Sequence, residues 1–136
     1  MASQSQIHQL HFLLIPLMSQ SHLIPFTEMA KLFAHHGVKV TIVLTPLNAA
    51  RFNTILEQAK ASNLNIEFVS LRFPGQEAGL PEGCETLNAL PSKDMYKNLL
   101  TGIRMLQKPV EQILAELNPR PSCIISDKYF AWTNQT

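Results

Sequence analysis

Apolar residues are spaced in two alternating rhythms along this chain. The run Phe12-Leu13-Leu14-Ile15 is apolar at consecutive positions, as a strand of a parallel sheet must be when both of its faces are buried, and it predicts a strand from His8 to Pro16. The spacing then changes. Phe26, Met29, Ala30 and Phe33 fall at i, i+3, i+4 and i+7, one stripe of a helix that Gly37 can close in a left-handed cap. Val38 to Thr45 is rich in β-branched residues and predicts a second strand, followed by a turn at Pro46-Leu47-Asn48. Phe52, Ile55, Leu56 and Ala59 make a second helical stripe that ends near Ser62-Asn63, and Ile66 to Leu71 predicts a third strand. Phe73 to Ser92 holds Pro74, Gly75, Gly79, Pro81, Gly83 and Pro91 and keeps no period, so it predicts a long loop of the kind that carries function or moves. Leu99, Ile103, Leu106, Val110, Ile113 and Leu117 resume a helical step, in which Pro109 forces a kink or a break into two helices. Pro119 and Pro121 stop it, and Cys123-Ile124-Ile125-Ser126 is a fourth strand ending at Asp127.

Strands alternating with helices imply right-handed crossovers and an α/β fold: a parallel sheet with helices on both faces. In the common doubly wound order the first three strands run outward on one side and the fourth returns beside the first. The carboxyl ends of strands one and four then lie side by side at the switch point, where such sheets bind ligands. Those two ends carry His22 and Asp127.

Composition narrows the partners. The chain has 136 residues, enough for one compact domain with a real core, and a net charge of +1 with scattered Lys and Arg. There is no basic stripe of the kind that nucleic acid selects, so small molecules are the expected partners. The segment MASQSQIHQ lacks the positive charge of a signal peptide, and the apolar run after it is interrupted by Pro16 and too short to span a membrane, which makes a cytoplasmic setting the expectation. Of the two cysteines, Cys84 reads as a loop thiol and Cys123 as a small buried strand residue, neither a disulfide framework nor a metal cluster.

A histidine beside a carboxylate in a crevice can act as a general base, because the carboxylate holds the ring tautomer and stabilises the imidazolium that forms. His22 and Asp127 fit that chemistry. They also fit plain roles, His22 as a satisfied polar residue at a strand-to-helix junction and Asp127 as a helix N-cap. No G-x-S-x-G elbow accompanies Ser19 or Ser21, and no dinucleotide fingerprint or phosphate-binding glycine loop follows any strand. His35 and His36 suit the last turn of the first helix, where cationic groups meet its carbonyls. Met18, Ser19 and Gln20, the loop from Phe73 to Leu90, and Tyr96 and Leu100 are expected near the carboxyl ends of the strands, as pocket residues or as ordinary loop and core positions.

The stretch HFLLIPLMSQSHLIPFTEMAKLFAHHGVKVTIVLTPLNAARF, with FPGQEAGLPEGCETLNALPS, LQKPVEQILAELNPRPSCIISD and AWT, resembles the N-terminal domain of plant family 1 UDP-dependent glycosyltransferases. The resemblance covers essentially the whole chain, with the blocks in order. It implies a Rossmann-like domain, the incomplete N-terminal half of a GT-B fold over residues 1–136, with the C-terminal UDP-sugar-binding domain absent. It further implies inverting transfer of a hexosyl group, with glucose expected, from a UDP-sugar to a hydroxyl of a flavonoid, terpenoid or steroidal acceptor, with no cofactor and no metal. His22 and Asp127 match the family's base and its carboxylate partner; Met18, Ser19, Gln20, Tyr96 and Leu100 are expected to line the acceptor pocket. Two departures stand out: Ser21 replaces the usual glycine before the histidine, and Lys128 follows the aspartate. The other expectation for these 136 residues alone is an inactive product that binds an acceptor or a partner glycosyltransferase.

Overall fold

The computed structural model describes residues 10–17, 19–86, 89–127 and 130. Its elements are β1 (His11–Ile15), α1 (Gln20–His35), β2 (Lys39–Leu44), α2 (Pro46–Arg51), α3 (Asn53–Ala61), β3 (Ile66–Ser70), a 3₁₀ turn (Lys93–Met95), α4 (Tyr96–Met105), α5 (Gln107–Glu116) and β4 (Cys123–Ser126). The four strands pair in parallel in the order β3-β2-β1-β4, the order that the sequence predicts.

Alternation along β1 divides the core in two. Leu13 and Ile15 join Val43 of β2 on one face, packed with Phe73, Leu99, Ile103, Leu106 and Val110 from the long loop, α4 and α5. Leu14 joins Val40, Ile42, Leu44 and Ile66 on the other, packed with Leu23, Ala30, Ala34 and Ala59 from α1 and α3. A strand buried on both sides has no polar face to alternate, which is why its sequence is a solid apolar run.

Three details differ from the sequence expectation. The fully buried line of α1 is Leu23, Thr27, Ala30 and Ala34, while Phe26, Met29 and Phe33 flank it half-buried. Small alanines under the helix let it approach the sheet, and the rings fill the sides; Phe12 and Phe33 meet edge to face with centroids 4.9 Å apart. Second, Pro46-Leu47-Asn48 opens the short helix α2 rather than a simple turn, because proline at the first helical position is pre-set for helix and has no N–H to lose there. The break expected at Pro109 is present: the helical stretch after the loop is two helices meeting at Leu106, with Pro109 in the first turn of α5, where its missing N–H breaks no bond. Third, Cys123 is exposed and Cys84 is the buried cysteine. β4 has a neighbour on one side only among the described residues, so its first side chain stays in solvent, whereas Cys84 sits under the loop with Phe73 and Leu80.

Both helix ends facing β2 and β3 close in the same way. At α1 the N–H of Gly37, with φ of 85°, donates to Ala34 O and that of Val38 to Phe33 O. At α3 Asn63, with φ of 60°, plays the glycine's part, and Leu64 N donates to Ala59 O. These closures satisfy the last helical carbonyls and aim the chain into the next strand.

Candidate functional site

β1 ends at Ile15, and Pro16 and Leu17 carry the chain to Ser19, whose extended backbone (φ −156°, ψ 138°) stops the strand and starts α1. The Ser19 carbonyl accepts from His22 N at 3.0 Å and from Leu23 N at 2.8 Å, which winds the first turn and fixes where the His22 side chain leaves it. The Ser19 hydroxyl does not cap the helix; it lies 3.0 Å from the Ser21 hydroxyl. Met18 falls outside the described residues, and Gln20 is the first residue of α1, its side chain outside what is described.

Asp127 arrives from β4. In the β1–β4 ladder Ile15 pairs with Ser126, and Asp127 N donates to Ile15 O at 3.1 Å, so Asp127 stands where β1 gives way to the turn. Its carbonyl accepts from Phe130 N at 2.9 Å. Phe130 is buried in the core with Leu17.

His22 Nδ1–H donates to Asp127 Oδ2. The carboxylate side chain is only 7% exposed while the imidazole is 34% exposed, so the partner is sheltered and the ring reaches solvent. With the proton held on Nδ1, the neutral ring carries its basic lone pair on Nε2. A carboxylate in that position stabilises an imidazolium if Nε2 takes up a proton, the arrangement that general-base chemistry needs.

The other expected pocket residues are placed separately. Tyr96, the first residue of α4, lines an open hollow with Leu90, Pro91, Ser92 and Lys93. Leu100, with Leu90 and Met95, packs half-buried against the core that contains Leu17 and Phe130. Arg72 and Glu77 pair at 2.8 Å across the long loop, the guanidinium holding the Glu77 carboxyl below its usual range. Burial pushes the Cys84 thiol up. Among the described residues, no three His, Cys, Asp or Glu side chains gather to hold a metal ion, and no helix is long and apolar enough to cross a membrane.

Sequence reasoning missed what fastens the long loop. Asn48, fully buried at the start of α2, donates from Nδ2 to Thr45 Oγ1 at 2.7 Å and to Glu85 O at 3.3 Å. Turn chemistry alone reads Asn48 as a surface residue; its partner Glu85 lies in the aperiodic segment, where no pattern marks a contact. It also missed the buried His11 at the opposite end of β1.

No protein-family model matches the chain. Curated proteins do: it is 48% identical over 124 residues to UDP-glycosyltransferase 73E1 of Stevia rebaudiana, an alignment covering 91% of this chain and 25% of that one. It is 48% identical over 128 residues to UDP-glycosyltransferase 73C12 of Barbarea vulgaris, covering 94% of this chain and 26% of the other. The chain thus spans about a quarter of the length of the curated relatives it matches. Among solved structures it resembles Glycyrrhiza uralensis UGT73P12, complexed with glycyrrhetinic acid 3-O-monoglucuronide, with a TM-score of 0.83, 35% identity, and coverage of 94% of this chain and 26% of that one. The fold also matches Arabidopsis thaliana UGT89C1, with a TM-score of 0.81 at 21% identity and coverage of 94% and 31%.

Proposed function

Because this chain belongs to the plant UDP-glycosyltransferase family, we propose that it supplies the acceptor-side part of an inverting hexosyltransferase, with His22 as general base and Asp127 as its partner. The substrates in this reading are a UDP-sugar, with glucose the expected donor, and a hydroxyl of a flavonoid, terpenoid or steroidal metabolite. Residues 1–136 form the acceptor-binding Rossmann-like part, most of the UDP-sugar site lies outside them, no cofactor or metal takes part, and the setting is cytoplasmic.

The observation that carries the reading is the hydrogen bond from His22 to Asp127 at the switch point of the sheet. In the reaction the acceptor hydroxyl gives its proton to His22 Nε2 while its oxygen bonds to the anomeric carbon. The bond from that carbon to the UDP oxygen breaks on the opposite face, and UDP leaves with the electron pair. Asp127 stabilises the imidazolium through Nδ1–H. A base so placed contributes a factor of about 10²–10⁴ in rate, or roughly 3–5.5 kcal/mol. Support for an apolar acceptor comes from the Glycyrrhiza uralensis relative, complexed with a glucuronide of glycyrrhetinic acid. Ser19, Gln20, Met18, Tyr96 and Leu100 are assigned to the acceptor side by their expected place near the carboxyl ends of the strands.

The test is a chimera that appends to this chain the remaining three-quarters of a matched relative, assayed for glucosyl transfer to flavonols and triterpenoids. Transfer by the chimera and a loss of about 10²–10⁴-fold in kcat on His22→Ala are expected; unchanged turnover rules out the base assignment.

The quarter-length match favours a second reading for these residues by themselves, in which they bind an acceptor or a partner glycosyltransferase without catalysis. Calorimetry separates the two: with this chain alone a flavonol or triterpenoid is expected to give heat and UDP-glucose none, and tight UDP-glucose binding contradicts it.

A further inference from the structure

We infer that His11 is a positioning residue for Asp127: from the opposite end of β1 its ring clamps the segment that feeds β4, and so sets the register on which the His22–Asp127 pair depends. The inference rests on the reading of that pair given above.

β4 is only four residues long and is hydrogen-bonded to β1 alone among the described residues. A slip of one residue moves a strand by about 3.3 Å and turns every side chain to the other face. Asp127 would then leave His22. In most strands the apolar pattern forbids such a slip, but here it resists it only in part. Ile124 packs on one core and Ile125 on the other, so a shift by one returns an isoleucine to one core and brings the small Cys123 or Ser126 to the other. The register has to be pinned from elsewhere.

His11 pins it. The ring is fully buried in a strand that is otherwise apolar. A carbonyl oxygen only accepts, so Nδ1–H donates to Pro119 O, at 2.6 Å, in the connection between α5 and β4. Nε2 lies 2.7 Å from Thr41 Oγ1, which holds the ring's orientation from β2, and Glu67 Oε1 of β3 lies 3.1 Å from the same hydroxyl oxygen. The main chain of the same residue is bound to the same segment: His11 O accepts from Ser122 N at 2.8 Å and from Ser122 Oγ at 3.2 Å. Lys39 Nζ, which pairs with Glu67 at 3.6 Å, adds a bond to Asn118 O at 3.1 Å. A slipped β4 would leave the ring N–H and the Pro119 carbonyl without each other, and a buried polar group without a partner is penalised by its lost hydration.

The test follows the pair directly, without activity. In this chain labelled with ¹⁵N-histidine, the Nδ1–H resonance of His22 is identified by its loss in His22→Gln. In His11→Leu that resonance is expected to vanish and the amides of β4 to exchange at least about ten-fold faster, while the amides of β2 keep their protection. His11→Asn carries an N–H donor where Nδ1 stands and is expected to retain the resonance. A His11→Leu chain that keeps both the His22 resonance and β4 protection overturns the inference. If His11→Leu does not fold, His11→Asn decides: folded with the resonance it supports the clamp, and folded without it, or unfolded, it overturns it. Absence of the resonance from the wild-type chain would overturn the pair itself, a failure distinct from one confined to His11.

Discussion

At the scale of single residues, the two side chains proposed for catalysis were legible for a reason of topology. Each stands just past the end of a strand, and the alternation of strands and helices suffices to bring those two ends together. Nothing comparable marks His11. Its partners Thr41, Pro119 and Ser122 lie in two other parts of the chain, so in the sequence it is one polar residue at the edge of an apolar run. The cysteines illustrate the same limit. Strand and loop were assigned correctly to Cys123 and Cys84, but burial depends on which strand lies at the edge and on what the loop folds against. A consequence can be measured at this scale. Burial raises the Cys84 thiol pKa, so less thiolate is present at any pH below it, and the sulfur is covered as well. Alkylation with iodoacetamide at pH 7 followed by mass spectrometry is expected to modify Cys123 at least about ten times faster than Cys84; equal rates would contradict the burial.

Elements were legible in existence and type because their periods differ so clearly, and the misreadings concern how faces and ends are used. Phe26, Met29 and Phe33 are the conspicuous apolar residues of α1, yet the line that touches the sheet runs through Leu23, Thr27, Ala30 and Ala34. Thr27 can be buried because its hydroxyl donates to Leu23 O at 2.8 Å. Hydrophobicity alone ranks a phenylalanine above an alanine, whereas close approach of a helix to a sheet requires the smaller residue. The seat of α4 depends on size in the same way. A Cβ added at Gly102 would meet the Phe73 ring at 2.5 Å, so the long loop lies on α4 only because residue 102 has no side chain. Gly102→Ala is expected to destabilise the chain by about 1–3 kcal/mol in urea titrations, since the ring must move out of the core. Gly102→Ala with Phe73→Leu is expected to recover part of that loss, and an unchanged midpoint in the single variant would contradict the contact.

For the molecule as a whole, the strand order 3-2-1-4 does most to place the site, and it followed from connection rules that need no side-chain detail. The sequence also marked the stretch from 73 to 92 as a loop, but not its attachment, which comes from Phe73 on Gly102 and from Asn48 on Glu85. Contacts of that kind are decided by shape and by single hydrogen bonds between distant residues, to which periodicity is blind. Both ends of β1 serve the pair: the carboxyl end leads into the turn that presents His22, and the amino end, through His11, ties down the segment that delivers Asp127.

That His22 and Asp127 act as one unit is the central claim, and a double-mutant cycle on transfer by the chimera tests it most directly. His22→Ala, Asp127→Asn and the double variant would be compared in kcat with the acceptor saturating. If the carboxylate works only through the imidazole, the double variant is expected to lose no more than His22→Ala alone, about 10²–10⁴-fold, because a partner with nothing left to orient has no further effect. Losses that multiply, with the double variant slower than His22→Ala by the full factor of Asp127→Asn, would contradict it.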